Sequence, residues 1–291
     1  MKPSPFDYHA PTQLSEAIGL LSELGDEAKL LSGGQSLVPL MNMRLARPEH
    51  VVDLNRVTGL SDLSVDQDRV RVGAMVRHRQ LERSAELVAA NPLVAAAASL
   101  IAHFQIRERG TIGGSLAHAD PSAELPLVAC LLDADIEAQG PSGVRRLTGS
   151  EFFTSVFTTQ LDESEVLTGV AFRHLDPAEG WAFEEVARRH GDFAIVATAA
   201  TTLFGEDGRY AAAGLAIAGV GAVPQRLDAI SLVGELPSDR LWRSVAAEAS
   251  SRISPQGDIH ATAEDRHDLA RTLIIRSLSR ATQRAKGGDP R

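Results

Sequence analysis

Ser32-Gly33-Gly34-Gln35-Ser36-Leu37-Val38-Pro39 is the stretch on which the reading of this chain turns. The apolar run 28–31 just before it reads as a short buried strand. A helical segment around 39–45 follows, and then Val51-Val52-Asp53-Leu54 as the next strand. Gly33 and Gly34 therefore sit in a turn directly after a strand. Glycine admits positive φ and lets a ligand approach the backbone closely. Successive exposed N–H groups in such a turn form a concavity for anions. Gln35 and Ser36 add side-chain donors, and Ser36 is placed to cap the next helix, whose N-terminus favours phosphate. A second segment, Thr111-Ile112-Gly113-Gly114-Ser115, repeats the formula: a hydroxyl, an apolar residue, two glycines, a hydroxyl. Two such loops brought together suit the two phosphates of a dinucleotide, whereas either alone reads equally well as a plain turn.

Outward from these loops the chain alternates helices and strands. Thr12 is placed to cap a helix with Leu14, Ala17, Ile18, Leu21 and Leu24 at helical spacing, and Gly25 stops it. Residues 70–73 read as a strand, 80–90 and 92–103 as helices. The stretch 107–115 is too rich in glycine for a regular helix. Residues 123–133 read as a buried helix, 134–138 and 144–147 as a hairpin, and 166–172 as a strand. After a linker at 176–180, residues 195–204 and 210–220 form a long hairpin around Gly205-Glu206-Asp207-Gly208. Two helices close the chain, at 238–253 and 264–285.

Composition removes several functions. The chain has 291 residues, 38 acidic against 29 Lys+Arg, and net charge -9, which opposes a nucleic-acid footprint. Aromatics at 4% leave little for base stacking. The single Cys130 excludes an intrachain disulfide, a cysteine zinc site and a self-contained iron–sulfur cluster, and suits a reducing cytoplasm. Within the apolar run 126–132 it reads as a small buried hydrophobe rather than a nucleophile. No run of about 18 apolar residues is present, so no membrane span is expected. Residues 1–10 do not form a secretory signal. Nine histidines show no HExxH or paired spacing, so no metal site is expected. His118-Ala119-Asp120 reads as an acid–base pair or as the polar wall of a cofactor site. Arg188-Arg189-His190 reads as a solvated turn, a docking point or a neighbour of the cofactor. Better-known phosphate motifs fail. There is no Gly-Lys-Ser/Thr ending, and Val223-Pro224 spoils the third-glycine position after Gly219-Val220-Gly221.

Ser32 to Pro39, with Met43-Arg44-Leu45-Ala46-Arg47-Pro48 behind it, resembles the first flavin loop of the FAD-binding medium subunit of molybdenum hydroxylases, the carbon monoxide dehydrogenase and xanthine dehydrogenase group. Arg109-Gly110-Thr111-Ile112-Gly113-Gly114-Ser115-Leu116-Ala117 resembles the second, and Ala119-Asp120-Pro121-Ser122-Ala123-Glu124-Leu125-Pro126 continues the match. Ala187-Arg188-Arg189-His190-Gly191-Asp192-Phe193-Ala194 and Ala218-Gly219-Val220-Gly221-Ala222-Val223-Pro224 resemble parts of its C-terminal domain. The resemblance covers nearly the whole chain in order and spacing.

It implies an α+β protein: a two-subdomain FAD-binding domain of the PCMH, or vanillyl-alcohol-oxidase-like, type over 1–175 (subdomains about 1–57 and 58–175), then a smaller α+β domain over 176–287. It implies that Ser32, Gly33, Gly34, Gln35, Ser36 and Leu37, with Thr111, Ile112, Gly113, Gly114 and Ser115, hold the FAD pyrophosphate and ribityl. His118, Asp120 and Glu124 would line the cofactor, Leu167 would lie near the isoalloxazine, and Phe193 at its edge. Ser32 replaces a common alanine, Gln35 a histidine of some members, Ser115 a frequent asparagine and Phe193 a tyrosine of some relatives. The implied partners are an iron–sulfur small subunit with two [2Fe–2S] clusters and a large subunit with the molybdenum cofactor, assembled as a dimer of heterotrimers and feeding an external electron acceptor. No catalytic acid or nucleophile is required of this chain. A free-standing FAD oxidoreductase and a flavin-free scaffold are the alternatives.

Overall fold

A computed structural model describes residues 2–227 and 229–288. The first sheet is parallel and ordered β1-β3-β2, from β1 (Asp7–His9), β2 (Ala28–Leu31) and β3 (His50–Asp53). Helix α1 (Leu14–Leu24) buries Ala17, Ile18 and Leu21 in this unit's core. Gln13 rather than Thr12 takes its N-cap position, because the Glu16 carboxylate accepts from both the Thr12 and Gln13 N–H groups, at 2.9 and 3.3 Å. Gly25, with φ of +56°, ends it. The short helix α2 (Leu37–Asn42) follows the first glycine loop.

The second sheet is antiparallel, ordered β4-β5-β10-β6-β7. Its strands are β4 (Leu63–Val65), β5 (Arg69–Gly73), β6 (Asp135–Gly140), β7 (Gly143–Thr148) and, beyond a small β8 (Phe153–Ser155) and β9 (Thr158–Thr159) ribbon, β10 (Val166–Arg173). Helices α3 (His78–Arg83), α4 (Ala85–Ala90), α5 (Pro92–Leu100), α6 (Phe104–Arg107), α7 (Ile112–His118) and α8 (Glu124–Leu131) run between β5 and β6. Val70, Val72, Ile136, Val170 and Phe172 of the sheet share a core with α5, α7 and α8. The helix expected over 80–90 is two, because Ser84 leaves helical geometry and caps α4 by accepting from the Leu87 N–H. Met75, Leu60 and Val166 join this unit to the core of the first sheet.

The third sheet is antiparallel, β11-β12-β13-β14, from β11 (Gly180–Val186), β12 (Val196–Phe204), β13 (Tyr210–Ala218) and β14 (Gln225–Leu227). It is covered on both faces, which accounts for the unbroken small and apolar runs of β12 and β13. One face, Ala182, Val196, Ala200, Leu215 and Ile217, packs on α9 (Asp239–Ser251) and α10 (Ala263–Ala285). The other, Ala197, Ala199, Ala216 and Ala218, belongs to the same core as α5 and α8. Those alanines let α8 lie close, and all eight of its residues are buried.

Candidate cofactor-binding site

The two glycine loops meet. The Ser32 and Thr111 hydroxyls lie 2.8 Å apart in a hydrogen bond. A Cβ on Gly33 would stand 2.4 Å from the Arg109 carbonyl oxygen and 2.7 Å from the Gly110 Cα, so only glycine allows this approach. Gly34 has φ of +74°, the left-handed conformation that turns the chain out of β2. Among the described residues no protein acceptor receives the backbone N–H groups of Gly33, Gly34, Gln35 or Ser36. Adjacent backbone donors without a protein partner suit an anion, the role expected of this loop from the sequence. The side chains act differently from expectation. Gln35 donates from Nε2 to the Gly33 carbonyl at 3.0 Å, bracing the turn. Ser36 occupies the N-cap position of α2 but makes no side-chain cap bond.

The second loop is a correction. Residues 112–118 are helix, with Thr111 as N-cap accepting from the Gly114 N–H at 3.0 Å. Glycine weakens a helix by about 1 kcal/mol per residue relative to alanine. Here that cost is offset by close packing that glycine alone permits. A Cβ on Gly113 would fall 2.5 Å from the Ala74 Cβ, and the Gly113 N–H donates to the Ala74 carbonyl at 2.8 Å. Gly114 faces Ser32 of the first loop, whose Cβ would lie 3.5 Å from an added Cβ. Ser115 and Leu37 are half-buried, while Ile112 is fully buried and serves the core rather than the cradle surface.

Beyond the cradle the expected wall divides. The His118 ring stacks on Phe157 at 4.9 Å between centroids, and burial lowers its pKa against the pull of Asp120. Asp120 accepts from the Ser122 N–H at 2.8 Å, and among the described residues no hydrogen bond joins it to His118. The wall reading, not the acid–base pair, fits this arrangement. Glu124 opens α8 at 6% exposure. Burial pushes its carboxyl up to about 8, with Glu185 and Asp120 adding to the rise. Glu185 lies across the seam on β11, sharing the face of Trp181 and Phe183, which pack on the α5 and α8 core. Burial raises it to about 7, and its Oε2 is buried without a hydrogen-bond partner. Leu167 is buried where β10 bulges between Leu167 and Gly169. Phe193 is 64% exposed in the loop from β11 to β12. That loop meets the helices of the second sheet's unit, where Gly191 packs on the His103 ring just before α6. Arg188 reaches His260 at 3.3 Å.

Residues that sequence reasoning passed over surround the loops. Asp53, Asn55 and Arg77 bond to them or to one another, and His78 packs beneath Gly110. His78 is buried with neither ring nitrogen hydrogen-bonded. Burial lowers it to about 4, the Thr111 carbonyl working the other way without reaching bonding geometry. No spacing marks these positions, since they lie apart from both loops, in the stretch of chain between residues 36 and 111. Cys130 is buried, with its thiol pushed up to about 11, as befits a core residue. Among the described residues no cluster of His, Cys, Asp or Glu suits a metal, and no helix is long and apolar enough to cross a membrane.

Free backbone donors and glycine-only contacts define a protein with a cradle suited to the diphosphate of a dinucleotide. Residues 4–172 match the family described as FAD binding domain in molybdopterin dehydrogenase, and residues 181–281 match the CO dehydrogenase flavoprotein C-terminal domain. The chain belongs to the FAD-binding medium subunits of the molybdenum hydroxylases, and it is an oxidoreductase subunit. It is 38% identical to the 6-hydroxypseudooxynicotine dehydrogenase complex subunit alpha of Paenarthrobacter nicotinovorans, over 98% of this chain and 97% of that one. It is likewise 38% identical to the caffeine dehydrogenase subunit beta of a Pseudomonas strain, over 98% and 97%. The crystal structure of carbon monoxide dehydrogenase from Hydrogenophaga pseudoflava lacking the Mo-pyranopterin moiety contains a chain that superposes with a TM-score of 0.95, at 34% identity, covering 98% of this chain and 99% of that one.

Proposed function

We propose that this chain is the electron-relay subunit of a three-chain molybdenum hydroxylase. It takes electrons from [2Fe–2S] clusters on a small partner subunit, after substrate oxidation at the molybdenum cofactor of a large one, and delivers them to an external acceptor. The reading is carried by one observation: the cradle offers unbonded backbone donors and glycine contacts, while among the described residues no cluster of His, Cys, Asp or Glu suits a metal. Bound FAD supplies one- and two-electron redox chemistry at the site. The residues do the rest. Gly33, Gly34, Gln35 and Ser36 would give backbone N–H groups to the pyrophosphate, and Gly114 and Ser115 would complete the opposite wall. Leu167 and the His118–Phe157 stack would exclude water from the ring system, with Phe193 at its edge. Glu124, neutral at pH 7, would face the cofactor without adding negative charge beside a diphosphate.

In this reading residues 1–175 form the FAD-binding domain, divided near residue 57, and 176–287 the smaller domain. The complex is a dimer of heterotrimers working in the cytoplasm. Purification from native cells tests the assignment. Yellow protein with stoichiometric FAD, accompanied by iron–sulfur and molybdenum-containing chains, is expected. A colourless chain that takes up no FAD on reconstitution overturns it, and an FAD-loaded chain without partners supports a free-standing oxidoreductase.

A further inference from the structure

A chain of hydrogen bonds runs between the two glycine loops. Asp53, the last residue of β3, is buried and accepts from the Tyr8 hydroxyl at 2.5 Å and from the Asn55 N–H at 2.9 Å. The Asn55 amide is oriented by three bonds. Its Nδ2 donates to the Asp53 carboxylate and, at 2.9 Å, to the Ser32 carbonyl, and its Oδ1 accepts from Arg77 Nη2 at 2.5 Å. Arg77 Nη1 donates to the Arg109 carbonyl. Ser32 begins the first loop, and the Arg109 carbonyl is the atom on which Gly33 rests. One guanidinium, with one amide, therefore spans both loops from outside the cradle. Among the described residues no carboxylate stands within ion-pair distance of Arg77, although the Asp53 carboxylate is near enough to favour its charged form.

We propose that Arg77 is a positioning residue: through Asn55 it fixes the spacing of the two glycine loops, and this spacing sets the cradle's affinity for the diphosphate of the flavin dinucleotide. The inference rests on the FAD reading above. A site already held at the bound spacing does not spend binding energy on ordering its loops. The role calls for arginine in particular. Its planar fork reaches two acceptors in fixed directions, whereas lysine keeps the charge and loses the fork.

The test is FAD titration of the full chain, stripped of flavin, followed by quenching of flavin fluorescence. Arg77→Lys and Asn55→Ala are each expected to weaken binding at least tenfold, with flavin-free melting temperatures near that of the wild type. The double variant is expected to bind no more weakly than the weaker single one, since both break one bridge. Should Arg77→Lys lower the melting temperature, Asn55→Ala carries the comparison alone. Wild-type affinity in Arg77→Lys would mean that charge, not spacing, matters and overturns the proposal, as do fully additive losses. A wild-type chain that binds no FAD overturns the underlying reading instead, so the two failures are distinguishable.

Discussion

Gly33 does more than bend the chain. Its missing side chain is the space occupied by the Arg109 carbonyl, so the two loops close on each other only because residue 33 ends at Cα. Gly33→Ala is expected to push the loops apart and lower FAD affinity about 100-fold, roughly 2.8 kcal/mol. Titration of the flavin-free variant checks this, with circular dichroism confirming an unchanged fold. At this scale the pairing of the two loops is what the sequence makes legible, because two matching glycine segments say more than either alone, which reads equally well as a plain turn. What is not legible is which side of the glycine matters. Gly34 is there for its positive φ, Gly33 and Gly113 for contact with other backbone, and the string of letters does not separate them. Nor does it show that Gln35 folds back on Gly33, a bond that needs the turn already formed.

Elements repeat the lesson with larger units. The hairpin of β12 and β13 is plain from its unbroken small and apolar runs and the Gly205–Gly208 turn chemistry, and the structure pairs Ala197 with Ala218 through Phe204 with Tyr210. Helix α7 is hidden, because local propensity disfavours glycine and the compensation comes from Ala74 and Thr111, one of them far away in the chain. Tertiary packing overrides propensity there. A similar close contact seats β11 on α10. A Cβ on Gly180 would stand 1.8 Å from the Ala281 carbonyl oxygen and 2.5 Å from the Ala285 nitrogen. Gly180→Ala is thus expected to cost about 2–3 kcal/mol of stability, as overpacking does. Urea denaturation should show a lower midpoint, and the folded fraction should keep wild-type FAD affinity because the cradle is untouched.

For the whole molecule, the seam between the units carries a pH dependence. Glu124 and Glu185 have carboxyls raised to about 8 and about 7, chiefly by burial. A raised carboxyl holds its proton in the folded state where the unfolded chain has lost it, so stability falls as pH rises. The loss begins near the ordinary carboxylate range and is complete once the pH passes about 8. Its size for buried Glu124 is on the order of a few kcal/mol. The flavin-free melting temperature is expected to drop between pH 5 and pH 8.5, and Glu124→Gln should flatten most of that slope. An unchanged slope in the variant would exclude Glu124 as its source. No sequence pattern announces this pair, which arises only when α8 and β11 are brought to the same seam.

Helix α8 also dictates an order of events during synthesis. One side of it belongs with the second sheet, and the other is covered by alanines of strands translated more than sixty residues later. While the ribosome is still making residues 132–194, that apolar surface has no native cover. The amino-terminal part of the chain cannot finish folding as it emerges. A nascent chain halted near residue 175 would be a client for chaperones and prone to aggregate, whereas release of the full chain lets the alanine face close over it.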